Sequence, residues 1–462
     1  MPFRKKIFGA VAGAAMGLVV SSLPVSDLSR EALIALGILA GAVCFWMTDI
    51  IPDYMVAVLM CTLWVVTGIA SFEEAFGAFN SATFWLLFGA FAICAAVSGS
   101  GLLRRIALRI IRWFPANYRG QVAAMLFSGF VIAPLIPSST AKGVLASAIG
   151  VETSRALGYE PYSKPATGLF LSTYMGYGQT GPAFQSACVI GFLLRGTLPE
   201  SVRESLTWLN WFEYMIVWSV VFLAGAYIAL LLLYGPKADK TCPNDYIDSM
   251  IAEMGPLTRN EKITSAIMLL CLALWITESF TGINAAVTAL LATVAFCFAG
   301  ILREKELFEK MQWGLLIFVG AVLGMSNIFS LLGINDWLIS ILRPVISSIG
   351  NPALLFFATA LLTILIRAVI VSMTASIVLF MAVLSPVVEP LGINPFVMGI
   401  VVYTSMQVFF LKYQNISYLP ALGQAASMVR HEDTVKMSAA YSVVSVLGLM
   451  LSIPYWSLLG LM

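Results

Sequence analysis

Three basic residues sit where the chain is otherwise apolar: Lys142, Arg367 and Lys412. A charge at bilayer depth is expensive, so each is a candidate functional residue. No Asp or Glu stands close in sequence to any of them, which leaves a ligand anion as the cheapest counter-charge. All three lie beside polar breaks. Ser138, Ser139 and Thr140 precede Lys142, and Ser372, Met373 and Thr374 follow Arg367. Gln414, Asn415 and Ser417 follow Lys412. Hydroxyls and free N–H groups at the start of a half-helix bind carboxylate, phosphate or sulfate. The bland alternative is that the hydroxyls only cap helices and the cations snorkel or bridge carbonyls. Recurrence at two places favours a site. A further break, Gln179-Thr180-Gly181-Pro182, interrupts the apolar stretch 166–194. Gly and Pro unwind it there, while Gln and Thr offer neutral hydrogen bonds.

The elements that position these groups follow from composition. Of 462 residues, 60% are hydrophobic and only 11% charged, with mean hydropathy +0.92. A soluble domain carries about a quarter charged residues. The fold class is therefore an all-α polytopic membrane protein, with the lipid bilayer as partner. Net charge is +2 without a basic tail, which gives no reason to expect nucleic acid. Cys44, Cys61, Cys94, Cys188, Cys271 and Cys297 lie in apolar runs and read as small core residues. The single histidine, His431, sits in a charged stretch read as a loop. No metal site or cofactor motif emerges.

Hydrophobic runs of the roughly 20 residues a bilayer needs give about eleven spans. Two further stretches, 122–151 and 353–388, hold a polar break and read as re-entrant hairpins, a form allowed where backbone lines a cavity. Gly101–Trp113 reads as a basic amphipathic helix at the interface. Asp49, Asp53 and Glu278 read as interfacial residues at span ends.

The two halves repeat. Trp46-Met47-Thr48-Asp49 matches Trp275-Ile276-Thr277-Glu278, and Leu87-Phe88-Gly89-Ala90 matches Phe318-Val319-Gly320-Ala321. Ser138 and Thr140 match Ser372 and Thr374, and Gln179 matches Gln414. This divides the chain into an extra N-terminal helix (1–28), a first repeat (29–234), a linker (235–257) and a second repeat (258–462). Five spans per repeat, plus a hairpin that returns to its own side, insert the second repeat upside down. Most Lys and Arg then fall on the cytoplasmic side, with Arg30, Arg195, Arg203 and Arg343 outside. The N-terminus is expected in the cytoplasm and the C-terminus outside, in a bacterial or archaeal inner membrane.

Two inverted repeats, each with an S-x-T tip facing a broken helix, resemble the divalent anion/sodium symporter family. Pro137–Lys142, PSSTAK, is similar to the PSNTAR signature of its citrate/succinate and 2-oxoglutarate/malate exchanger branch. Ile69–Phe79, IASFEEAFGAF, is similar to the segment before the family's fourth span. The resemblance implies a homodimer whose hairpins and broken helices move as an elevator past a scaffold. It implies that Ser138, Ser139, Thr140, Ser372, Met373 and Thr374 hold substrate carboxylates. Thr180, Gly181, Pro182, Asn415 and Ser417 would lie opposite.

Two departures matter. Sodium-coupled members carry Asn in the middle of both tips, where Ser139 and Met373 stand here. A thioether is a poor ligand for a hard cation, while Lys142 and Arg367 supply fixed positive charge. The expectation is a secondary active transporter of organic dianions such as succinate, malate, 2-oxoglutarate or citrate, exchanging them without sodium. The alternative is a sodium- or proton-coupled symporter of dicarboxylate or sulfate, with sodium near Ser139 and Thr180. A membrane-embedded enzyme is the remote third reading, since HExxH, GxSxG and paired intramembrane aspartates are all missing.

Overall fold

The computed structural model describes residues 3–25, 27–48, 50–241, 245–370 and 372–462. Asp49, one of the span-end acids, lies outside the described residues. The chain is all-helical, and the one isolated β-bridge among the described residues pairs Asn117 with Thr241. Among the described residues, six helices are long and apolar enough to cross a membrane, Ala82–Ser100 and Ile216–Tyr234 among them. Other apolar helices, including Asp53–Val66 and Pro395–Ser405, are shorter. The difference from eleven spans has a physical cause. Apolar runs that read as single spans are cut by Gly, Pro and polar breaks: 166–194 becomes Lys164–Thr173 and Val189–Thr197, with a π-turn at Tyr174–Gly178 between them. Both expected hairpin stretches are likewise two helices around a break. The first gives Tyr118–Ile132 and Ser139–Ala156, the second Pro352–Ile366 and Met373–Val388.

The halves share local architecture. Asp53–Val66 and Ala285–Phe298 are both 14-residue helices. The indole of Trp46 donates to Asp53 O at 3.1 Å, and that of Trp275 to Ala285 O at 3.3 Å. The Ser71 and Arg303 N–H groups donate to Glu74 and Glu306 carboxylates three residues on. Asp53–Val66 packs on Trp313–Val322, and Ala285–Phe298 on Ala82–Ser100.

Two features differ from the sequence reading. Of the arginines on the amphipathic helix Leu102–Ile111, Arg109 is exposed but Arg105 is buried. Arg105 forks onto Glu261 at 2.7 and 3.2 Å and donates to Gly255 O at 2.8 Å. It thereby clamps Leu102–Ile111 to the start of Arg259–Ile276. Arg105→Met leaves the Glu261 carboxylate buried without its partner. The expected loss is about 3–5 kcal/mol, read as a lower detergent-solution melting temperature. His431, in turn, is not in a loop. It opens the final helix, His431–Leu458, and its ring bonds Tyr418 OH at 2.9 Å and Phe410 O at 3.0 Å.

One glycine pair fixes how the first hairpin stretch meets the unwound helix. A Cβ on Gly129 would lie 2.3 Å from the Gly176 carbonyl carbon, and one on Gly176 would lie 2.4 Å from Met125 O. Backbone touches backbone here, so no side chain can yield. Gly176→Ala is expected to destabilise the fold by more than the roughly 1–3 kcal/mol of ordinary overpacking, read by thermal unfolding.

Candidate functional site

Both tips face one cavity of about 270 Å³, lined by Ser138, Ser139 and Thr140 and by Ser372, Met373 and Thr374. The sequence explains each tip. Ser138 leaves the helix with extended backbone, and its hydroxyl accepts from Ala141 N–H at 3.2 Å. Ser372 does the same for Ala375 N–H at 3.2 Å, and Thr374 Oγ1 lies 2.9 Å from Ser372 Oγ. The caps therefore satisfy one donor each, while further first-turn N–H groups have no partner within their helix. Two helix N-termini with their positive dipole ends converge on one small space.

A third N-terminus joins them. Cys188, Val189 and Ile190, at the start of Val189–Thr197, line the same cavity. So do Asp53 and Leu315 on the packed helices Asp53–Val66 and Trp313–Val322, Gln312 just before the second of these, and Trp46 on Arg30–Thr48. Sequence reasoning missed these. Cys188 reads as core and Asp53 as interfacial, because only long-range packing brings them to the tips. Glu278, the other span-end acid, accepts from Ala285 N–H at 3.1 Å and borders a separate cavity with Arg195 and Arg203.

The two buried cations do not line the cavity. Each holds a break to an unwound segment. Lys142 Nζ donates to Ala133 O at 3.1 Å and Ala187 O at 2.8 Å. Arg367 donates to Ile370 O beside the second tip and to Gln414 O in the second unwound segment, and reaches Ser376 Oγ at 3.4 Å. Both are 0% exposed and neither has a carboxylate partner in any ion pair among the described residues. Carbonyl oxygens carry only partial charge, so each cation keeps most of its field for the nearby tips. Lys412 differs: it is exposed in a turn, which removes the reason to treat it as a buried charge.

The polar groups of the unwound segments also turn away from the cavity. Gln179 Nε2 donates to Tyr174 OH and Gln407 O, both at 3.0 Å, and Thr180 Oγ1 to Gly176 O at 2.7 Å. Asn415 Nδ2 shares the Gln407 carbonyl at 3.0 Å, and Ser417 Oγ donates to Asn415 Oδ1 at 2.8 Å. Gln414 Oε1 accepts from Leu411 N–H at 2.9 Å, and Pro182 O from the Trp211 indole at 2.9 Å. The two segments are thus tied together at Gln407, and they brace the tips from behind. Gly181 is left with its Cα face towards Ser139 and Tyr403.

The relatives agree with this architecture. The family model of the sodium:sulfate symporter transmembrane region matches residues 4–462. An inner membrane protein of Escherichia coli, YbhI, is 25% identical over 82% of both chains. The putative malate transporter YflS of Bacillus subtilis is 26% identical, over 72% of this chain and 71% of its own. The chloroplastic dicarboxylate transporter 1 of Arabidopsis thaliana is 26% identical, over 71% of this chain and 60% of its own. Among solved structures, the YdaH transporter of Alcanivorax borkumensis superposes with a TM-score of 0.60 at 13% identity. It covers 99% of this chain and 97% of its own, a likeness of fold alone. With a family match across nearly its whole length, this multi-pass membrane protein belongs to the divalent anion/sodium symporter family.

Proposed function

We propose that the protein is a secondary transporter of organic dianions, di- and tricarboxylates such as succinate, malate, 2-oxoglutarate and citrate, and that it exchanges them without sodium. One observation carries this reading: two fixed cations, Lys142 after the first tip and Arg367 before the second, each bridge a break and an unwound segment through backbone carbonyls. Carbonyls are the oxygen donors a hard metal ion takes. Here an ammonium and a guanidinium take them instead, and Met373 offers sulfur at the second tip. Those four carbonyls are therefore not free for a sodium ion.

The tips bind the dianion, one carboxylate at each N-terminus, and the two fixed charges balance it. The loaded unit is then close to neutral and can cross the bilayer interior. Emptied, it carries two uncompensated charges at membrane depth, a state that several kcal/mol of desolvation hold back. Obligatory exchange follows. We take the moving unit to be the tips with the unwound segments behind them, tied together at Gln407, sliding past the helices that carry Asp53 and Gln312 in a homodimer. The charge bias puts Asp53 and Gln312 on the cytoplasmic side, so this state is the inward one.

Competition in counterflow tests the substrate class. Unlabelled succinate, malate and citrate are expected to suppress uptake of labelled succinate. Sulfate, which offers one acid group where a dicarboxylate offers two, is expected to suppress it at least 10-fold less well. Equal competition by sulfate would move the assignment to inorganic anions.

A further inference from the structure

An apolar groove of about 240 Å³ opens beside the amphipathic helix Leu102–Ile111, apart from the substrate cavity. Ile106 lines it from that helix, and Met268, Leu269 and Leu272 from Arg259–Ile276. Leu135 lines it from the turn Ala133–Leu135, which leads into the first tip. Leu269 is 67% exposed, so the groove is open along that flank. The hydroxyl in its wall, Ser265 Oγ, is turned back onto Glu261 O at 2.8 Å. Two arginines border the groove. Arg105 is spent on Glu261 and on backbone carbonyls. Arg109 is exposed and has no ion pair among the described residues. Its neighbours are held: Arg104 by Glu152 at 3.3 Å and Arg112 by Asp248 at 2.7 Å. Trp113, 73% exposed, follows the helix and suits the membrane–water boundary.

Apolar walls that end at one free guanidinium fit a molecule with an apolar chain and an anionic head. From Ser265 to Leu272 the helix rises about 10 Å, much of the roughly 15 Å of hydrocarbon in one leaflet. A groove of this volume admits a chain and not a helix about 10 Å across, which argues against a span of a second copy. We propose that the groove seats one anionic phospholipid, with its phosphate on Arg109 and an acyl chain against Leu135 and Leu269. Guanidinium and phosphate meet through two parallel hydrogen bonds. The lipid touches all three elements, so it holds the turn before the first tip against Arg259–Ile276. The inference does not depend on which anion is carried.

The test is lipid binding to the purified protein in detergent, read by native mass spectrometry and by melting temperature. The probes are phosphatidylglycerol and phosphatidylcholine with the same chains. Phosphatidylglycerol is expected to bind at least 5-fold more tightly and to raise the melting temperature more. Arg109→Gln is expected to weaken phosphatidylglycerol about 5–10-fold and to leave phosphatidylcholine unchanged. Leu269→Trp keeps the cation but fills the groove, and is expected to weaken both lipids. Arg119→Gln removes an exposed arginine that does not line the groove, and is expected to change neither. Equal binding of the two lipids by the wild type would overturn the proposal. Equal losses in Arg109→Gln and Arg119→Gln would do so too, by reducing the preference to a general basic surface. Stabilisation by inorganic phosphate as large as by phosphatidylglycerol would leave the groove without a part and overturn it. A change of oligomeric state in Arg109→Gln, with lipid binding intact, would assign the face to a second copy instead.

Discussion

Replacing Arg367 with glutamine is expected to cut exchange about 100-fold, a loss of roughly 3 kcal/mol that lies at the low end for breaking a buried charged contact. Two effects add. Ile370 O and Gln414 O lose their shared donor, which leaves the buried Gln414 carbonyl unpaired at about 1–3 kcal/mol and the half-buried Ile370 carbonyl at less. The second tip also loses the charge that offsets a bound carboxylate. Arg367→Lys separates the two effects. It keeps the charge but not the planar fork that spans both carbonyls. The lysine variant is expected to recover part of the apparent affinity while its rate stays low. Full recovery would make Arg367 a charge alone and remove its bracing role. Thermal unfolding of both variants in detergent controls for misfolding.

The second large effect concerns the tips. Thr140→Val and Thr374→Val are each expected to raise KM for dicarboxylate about 10-fold, because a hydrogen bond to a charged group contributes about 1.5–3 kcal/mol. The double variant is expected to lose roughly 100-fold, since residues on separate tips act independently when they hold different carboxylates. A double variant no worse than either single one would mean that one tip alone holds the substrate. Lys412→Ala gives the contrast. Lys412 is exposed and takes no part in the bracing, so its KM is expected to stay within about twofold, as for surface changes generally.

Much of this was legible in the sequence. Ser138–Thr140 and Ser372–Thr374 announced themselves because a polar break in an apolar run has few other uses, and because it occurs twice. Lys142 and Arg367 stood out for the cost of burying them. Where their charged ends point was not legible. Carbonyl partners such as Ala187 and Gln414 carry no side-chain signature, so bridging and ligand contact look alike in one dimension. Gln179, Asn415 and Ser417 show the same limit from the other direction. Their side chains suit a ligand equally well, yet in the fold Gln179 and Asn415 both donate to the carbonyl of Gln407, and Ser417 donates to Asn415. Cys188, Asp53 and Gln312 had no signal at all, because they reach the cavity only through packing between distant helices.

Whether fixed charge does the work of a bound sodium ion is tested most directly by uptake of labelled succinate into proteoliposomes. Vesicles are preloaded with succinate or left empty, with and without an inward sodium gradient. Uptake into preloaded vesicles alone, indifferent to sodium, is the predicted result. Sodium-driven uptake into empty vesicles would contradict it and make the protein a symporter.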